Sequence, residues 1–198
     1  MTREQFKHCA PRDGILDAIR KDAPKHAGRE VLLCFTCDPY PDGQPHQLAN
    51  DAIKALHDGG CRVNVLTKSG GGSKSCLPLL TPRLDSYGAT LTFANTDDSY
   101  KWEPGAAPPH ERIDYLCYAH SRGIRTWASI EPVIDPEQSL YLIEQCKIGV
   151  DVVKIGKWNH DARANAIDWQ AFAERAVALC KSLGLPYVLK ADLARWAG

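Results

Sequence analysis

Residues 125–156 read RTWASIEPVIDPEQSLYLIEQCKIGVDVVKIG, and the two periodicities in that stretch decide the fold class. RTWASIEPV (125–133) and DVVKIG (151–156) are short apolar runs rich in β-forming residues, while 136–147 between them carries a helical pattern. Gly149 stands just beyond that helix and just before the second run, where a helix stop belongs. Strand, helix and strand in this order predict parallel pairing.

The same alternation extends in both directions. Further β-rich runs are VLLCFT (31–36), RVNVLT (62–67), ATLTFA (89–94) and PYVLK (186–190), and helical patterns cover 12–23, 46–57, 110–122 and 168–183. Leu48, Ala52, Ala55 and Leu56 share one helical stripe, as do Phe172, Ala176, Leu179, Cys180 and Leu183. Longer irregular stretches, PYPDGQP (39–45), KSGGGSKSC (68–76) and NTDDSYKWEPGAAPP (95–109), follow strand ends. Functional loops of parallel α/β folds gather at that carboxyl end.

Composition bounds the function. At 198 residues the chain is expected to form one domain, 1–198, and its 44% hydrophobic and 24% charged content is ordinary globular usage. Lys plus Arg and Asp plus Glu both number 24, so no net charge favours nucleic acid or anionic lipid. MTREQFKHCAPRDG at the amino terminus has no apolar signal core, and no apolar run approaches the roughly 20 residues of a membrane span. A soluble, cytoplasmic protein is expected. Its cysteines at 9, 34, 37, 61, 76, 117, 146 and 180 are then expected to be reduced, most of them in the core.

Side chains alternate across a strand, so residue parity separates the two faces of the sheet. Val31, Leu33, Phe35, Val63, Val65, Leu91, Phe93, Val153 and Ile155 suit a face covered by helices. The opposite parity carries Thr36, Asp38, Asn64, Lys68, Thr90, Thr92, Ser129, Glu131, Lys154 and Lys190, which would point into one polar cavity. Other motifs fail. In the glycine-rich loop Lys74 follows Ser73 where a phosphate-binding P-loop needs glycine, and no GxGxxG follows the first strand. Cys34 and Cys37 lie three apart on a presumed strand, with thiols expected on opposite faces. His110, Glu111 and Arg112 read as a helix start with surface charge after Pro108 and Pro109.

CFTCDPY (34–40), VLTKSGG (65–71), WEPGAAPPHERI (102–113), TWASIEPVID (126–135) and VVKIGKWN (152–159), in this order, resemble the barrel of radical SAM enzymes, in the branch similar to spore photoproduct lyase. The resemblance implies an α/β fold, a parallel (β/α)6-type partial TIM barrel, holding S-adenosylmethionine at the strand ends beside a [4Fe-4S] cluster. In the family the reduced cluster cleaves the cofactor to a 5′-deoxyadenosyl radical. By matching strands, the resemblance places Cys37 and Asp38 at the methionine amino end and Lys68 and Thr92 at the carboxylate and ribose. It places Glu131 and Lys154 on the substrate side. Two departures qualify it. No CxxxCxxC occurs, so the chain is expected to be truncated before its first strand and cluster loop, and to assemble no cluster by itself. Phe35 also stands where spore photoproduct lyase has its hydrogen-donating cysteine, which argues against DNA-lesion repair.

Two alternatives remain in the sequence. One is a noncatalytic cradle or scaffold that keeps the S-adenosylmethionine side, with a partner chain or self-association at an exposed barrel edge. The other is a Schiff-base barrel aldolase using Lys154, its pKa lowered by Lys190.

Overall fold

The structure is a computed structural model that describes residues 12–34 and 37–197. Its helices are α1 (Ile15–Asp22), α2 (Gln47–Asp58), α3 (Thr96–Trp102), α4 (Pro109–Ser121), α5 (Pro136–Gln145), α6 (Trp169–Leu183) and α7 (Ala191–Ala194). Its strands are β1 (Glu30–Leu33), β2 (Arg62–Thr67), β3 (Ser86–Thr90), β4 (Arg125–Val133), β5 (Val152–Lys157) and β6 (Tyr187–Leu189). The six form one open sheet in chain order, every neighbouring pair parallel. Parallel pairing agrees with the repeat, and the whole is the α/β partial barrel that the resemblance implies.

Local chemistry sets the element ends. Asp135 caps α5 by accepting from the backbone N–H groups of Glu137 and Gln138, and Pro136 supplies a preset φ at the first helical position. Asp168 caps α6 in the same way through Ala171 N–H. That helix ends at Gly184, whose φ of 64° is a left-handed stop that costs glycine nothing.

Parity governs the sheet as expected. Val63, Val65, Tyr87, Ala89, Ala128, Ile130, Val153 and Ile155 are buried on the outer face under the helices. Each large aliphatic among them contributes about 1.5–3 kcal/mol of burial. On β1 Leu32 is exposed while Val31 and Leu33 are half-buried, the same alternation at a sheet edge.

Three expectations are corrected. β3 lies at 86–90 rather than 89–94, because Ser86, Tyr87 and Gly88 pair with Arg125, Thr126 and Trp127. A side chain at Gly88 would come within 2.4 Å of the Trp127 ring, so this weak β-former is required inside the strand. The 95–109 stretch contains α3, opened by Asn95, whose side-chain oxygen accepts from Asp97 and Asp98 N–H. β1 ends at Leu33, and Phe35 and Thr36, assigned above to its two faces, lie outside the described residues.

Candidate functional site

On the inner face the strand register arranges side chains in rows. Leu66, Gly88, Trp127 and Val152 are successive register partners, and one row nearer the carboxyl ends come Thr90, Ser129, Lys154 and Val188. Beyond these lie Glu131, Gly156 and Lys190, with Lys68 and Thr92 just past the ends of β2 and β3.

At this rim a buried charge cluster forms around Glu103. Its Oε1 lies 2.8 Å from Lys68 Nζ and accepts from Thr92 Oγ1 at 2.9 Å, while its Oε2 accepts from Arg112 Nη1 at 3.0 Å. Arg112 is completely buried and also donates to Thr90 O, Ala107 O and Ser99 Oγ. Burial alone would push the Glu103 carboxyl up, but Lys68 and Arg112 outweigh it and hold the group below its ordinary value. The surface reading of Arg112 is therefore wrong. The helical spacing of Arg112 with Leu116 and Ala119, both buried, was the signal that it faces the interior. Glu111 is not simple surface charge either, since its Oε1 accepts from Gly71 N–H at 2.6 Å.

Asp38 sits in the loop after β1, past the reach of strand parity, and meets Lys68 through the Lys68 backbone. Asp38 Oδ1 accepts from Thr67 Oγ1 at 2.6 Å and from Tyr40 N–H at 2.9 Å, and its Oδ2 accepts from Lys68 N–H at 2.7 Å. The carboxylate thus ties the loop after β1 to the end of β2. Tyr40, wholly buried, has its phenol pushed well above the ordinary value by that burial. Beside this loop a cleft of about 390 Å³ opens between the glycine loop and residues 105–108, bounded by Asp42, Ser69, Tyr100 and Glu111.

Cys34 and Cys37 also depart from expectation. Their sulfurs lie 3.1 Å apart, and Cys34 Sγ donates to Cys37 O at 2.8 Å. Opposite-face geometry requires a continuing strand, whereas β1 has already ended at Leu33.

Glu131 pairs with Lys190, and Lys154 is set apart from both. Lys154 Nζ rests 3.6 Å from the centroid of the Trp127 ring, whose Nε1 donates to Asn64 Oδ1 at 2.7 Å. Asn64 in turn donates to Glu30 Oε1 at 3.0 Å. Desolvation lowers the Lys154 pKa, partly offset by Glu30, and Arg125 rather than Lys190 is the cation that adds to the lowering. Trp127, which the sequence reading passed over, shares the parity of Ser129 and Glu131.

A last group spans the mouth. The Arg163 guanidinium lies 4.8 Å from the Trp102 ring centroid and 5.0 Å from that of Trp158, and the two indoles are 5.8 Å apart at 82°. It links the segment after β3 to the segment after β5.

The fold has structural counterparts. Streptococcus suis SuiB bound to S-adenosylmethionine aligns over 95% of this chain and 45% of its own, with TM-score 0.67 and 11% identity. SuiB bound to its precursor peptide SuiA aligns similarly, with TM-score 0.68 and 12% identity over 95% of this chain and 44% of its own. A domain of pyruvate-formate lyase-activating enzyme from Bacteroides vulgatus aligns over 83% of this chain and 100% of its own, with TM-score 0.60 and 10% identity. The shared feature is the fold. No family model and no curated sequence matches the chain. It spans less than half the length of SuiB.

Among the described residues no three His, Cys, Asp or Glu side chains converge as metal ligands. Cys61, Cys76, Cys146 and Cys180 are buried apart from the Cys34 and Cys37 pair, so the described thiols do not fit a [4Fe-4S] cluster, which needs three converging thiolates. Cys9 lies outside the described residues. No helix among them is long and apolar enough to cross a membrane.

Proposed function

We propose that the chain is a radical SAM-type protein whose strand ends cradle S-adenosylmethionine, with no cluster held by the described thiols. The observation that carries this reading is the meeting of Asp38 and Lys68 at the rim of a sheet whose fold matches the S-adenosylmethionine-bound SuiB structure. A carboxylate offers about four acceptor sites, and Asp38 uses three on Thr67, Tyr40 and Lys68, leaving capacity for an ammonium group. Lys68 spends one of its three donors on Glu103, and the others suit a carboxylate. These two residues fit the amino-acid end of the cofactor. Thr92 acts through Glu103, to which it donates, and Cys37 lies beside Asp38 in the same loop. When bound, the cofactor supplies the sulfonium that the family cleaves reductively.

The Schiff-base alternative loses its support at Lys190, which pairs with Glu131 and is not the cation acting on Lys154. Equilibrium dialysis with radiolabelled S-adenosylmethionine tests the cradle. Weak saturable binding is expected, reduced about 10-fold or more by Lys68→Ala, the scale of a lost charged hydrogen bond. Absence of saturable binding, or equal binding by Lys68→Ala, would overturn the proposal.

A further inference from the structure

Three ammonium groups face the inner side of the sheet or its rim, and two are neutralised. Lys68 pairs with Glu103 and Lys190 with Glu131. Lys154 has no carboxylate within ion-pair distance among the described residues, and its contact is the face of Trp127. Glu30 acts on it electrostatically from farther away, through the position it holds on Asn64.

Two hydroxyls share its row. Ser129 is the register partner of Lys154, and Thr90 is the register partner of Ser129. Adjacent strands are about 4.8 Å apart, so the three side chains stand side by side on one face. Ser129 is 4% exposed and Thr90 8%, and neither hydroxyl has a hydrogen-bond partner among the described residues. The wholly buried unpaired hydroxyls among the described residues are those of Ser86 and Ser139, so the Thr90 and Ser129 hydroxyls keep access to the cavity and, beside the unpaired ammonium, can donate to an acceptor that enters it. The rows on either side differ. The row below is filled by the Trp127 ring against Gly88, and the row above by the Glu131 and Lys190 pair.

We infer that Thr90, Ser129 and Lys154 form an oxyanion subsite, one that receives a carboxylate or phosphate group of the substrate. It rests on the cradle reading only in calling the bound anion part of a substrate. The ligand's oxygens accept from the two hydroxyls and the ammonium, while the indole beneath holds the lysine stem and supplies no competing negative charge. Lys68 follows Thr67, the register partner of Ala89, so it falls level with Thr90 at the far side of the row from Lys154, and its pairing with Glu103 leaves Lys154 as the ammonium of the subsite.

The test is calorimetric titration of the full chain at low ionic strength with inorganic phosphate and, separately, with acetate. At least one is expected to bind saturably, and the stronger identifies the oxyanion. Lys154→Met, which keeps the stem on Trp127, is expected to weaken binding about 10-fold or more, and Ser129→Ala about 2- to 10-fold. Circular dichroism checks that each variant is folded, and Ser129→Ala serves alone if Lys154→Met is not. S-adenosylmethionine binding measured on the same Lys154→Met protein is expected to be unaffected, so failure of the cradle and failure of the subsite give different results. No saturation by either anion up to about 100 mM, where the screening length has fallen to about 10 Å, would overturn the inference. So would equal binding by a folded Lys154→Met variant, or by Ser129→Ala where that variant alone is folded.

Discussion

Removing the Glu103 carboxylate by Glu103→Ala strands a buried guanidinium, and the cost follows from its surroundings. Arg112 is completely buried and keeps neutral partners in Thr90 O, Ala107 O and Ser99 Oγ, but loses its only ion pair among the described residues. Lys68 is 38% exposed at its side chain, so it turns to water and adds little. Leaving one partner of a buried pair uncompensated costs about 3–5 kcal/mol. For a chain of this size that lowers the melting temperature by on the order of 10 °C. Urea unfolding should show a lower midpoint at unchanged slope. In the unmodified protein the pH dependence has a defined sign. Glu103 has a lowered folded pKa, so its contribution is fully present above about pH 4.3, the unfolded value, and is lost as pH falls through the folded one. Glu103→Ala should flatten that acid limb. A loss under about 1 kcal/mol, or an unchanged acid limb, would refute the buried-network account.

Gly88→Ala places a methyl carbon 2.4 Å from the Trp127 ring, and should cost about 1–3 kcal/mol by calorimetry and quench or shift indole fluorescence. Burial pushes the Cys76 and Cys146 thiols up to about 12 and Cys180 up to about 11, so iodoacetamide near neutral pH should modify exposed Cys37 in the folded protein and reach these three only on unfolding, read by peptide mass spectrometry. Oxidised glutathione should join Cys34 to Cys37, two thiols losing two protons and two electrons to the glutathione disulfide; a persistent dithiol would contradict the 3.1 Å approach of their sulfurs. Anaerobic treatment with iron and sulfide should give no stoichiometric four-iron cluster, and iron analysis with electron paramagnetic resonance reads the outcome.

Most of the sheet was legible because helix and strand periods differ so plainly, and because each apolar face needed a covering helix. The shift in β3 was not legible, since Gly88 is favoured by a tryptophan 39 positions away rather than by its own propensity. Asp38 was set beside Lys68 by carrying parity past the end of β1, whereas their contact runs through the Lys68 backbone N–H, which parity does not address. Arg112 was misread because a buried arginine makes sense only once Glu103, Ser99 and two carbonyls surround it, and those partners come from α3, itself hidden in an apparently irregular stretch. Cys34 and Cys37 were misread for a simpler reason: alternation stops being informative where a strand ends, and the sequence does not mark that end sharply.

The paired indoles at the mouth also make the molecule report on itself. Trp102 and Trp158, 5.8 Å apart and nearly perpendicular, are close enough for their excited states to interact, and Phe93 packs tilted on Trp102 at 5.8 Å. Near-ultraviolet circular dichroism responds to such fixed aromatic geometry and vanishes when packing is lost. Any molecule that parts the segments after β3 and β5 must rotate one ring against the other, so its arrival is written in the optical activity of the native chain without any attached probe.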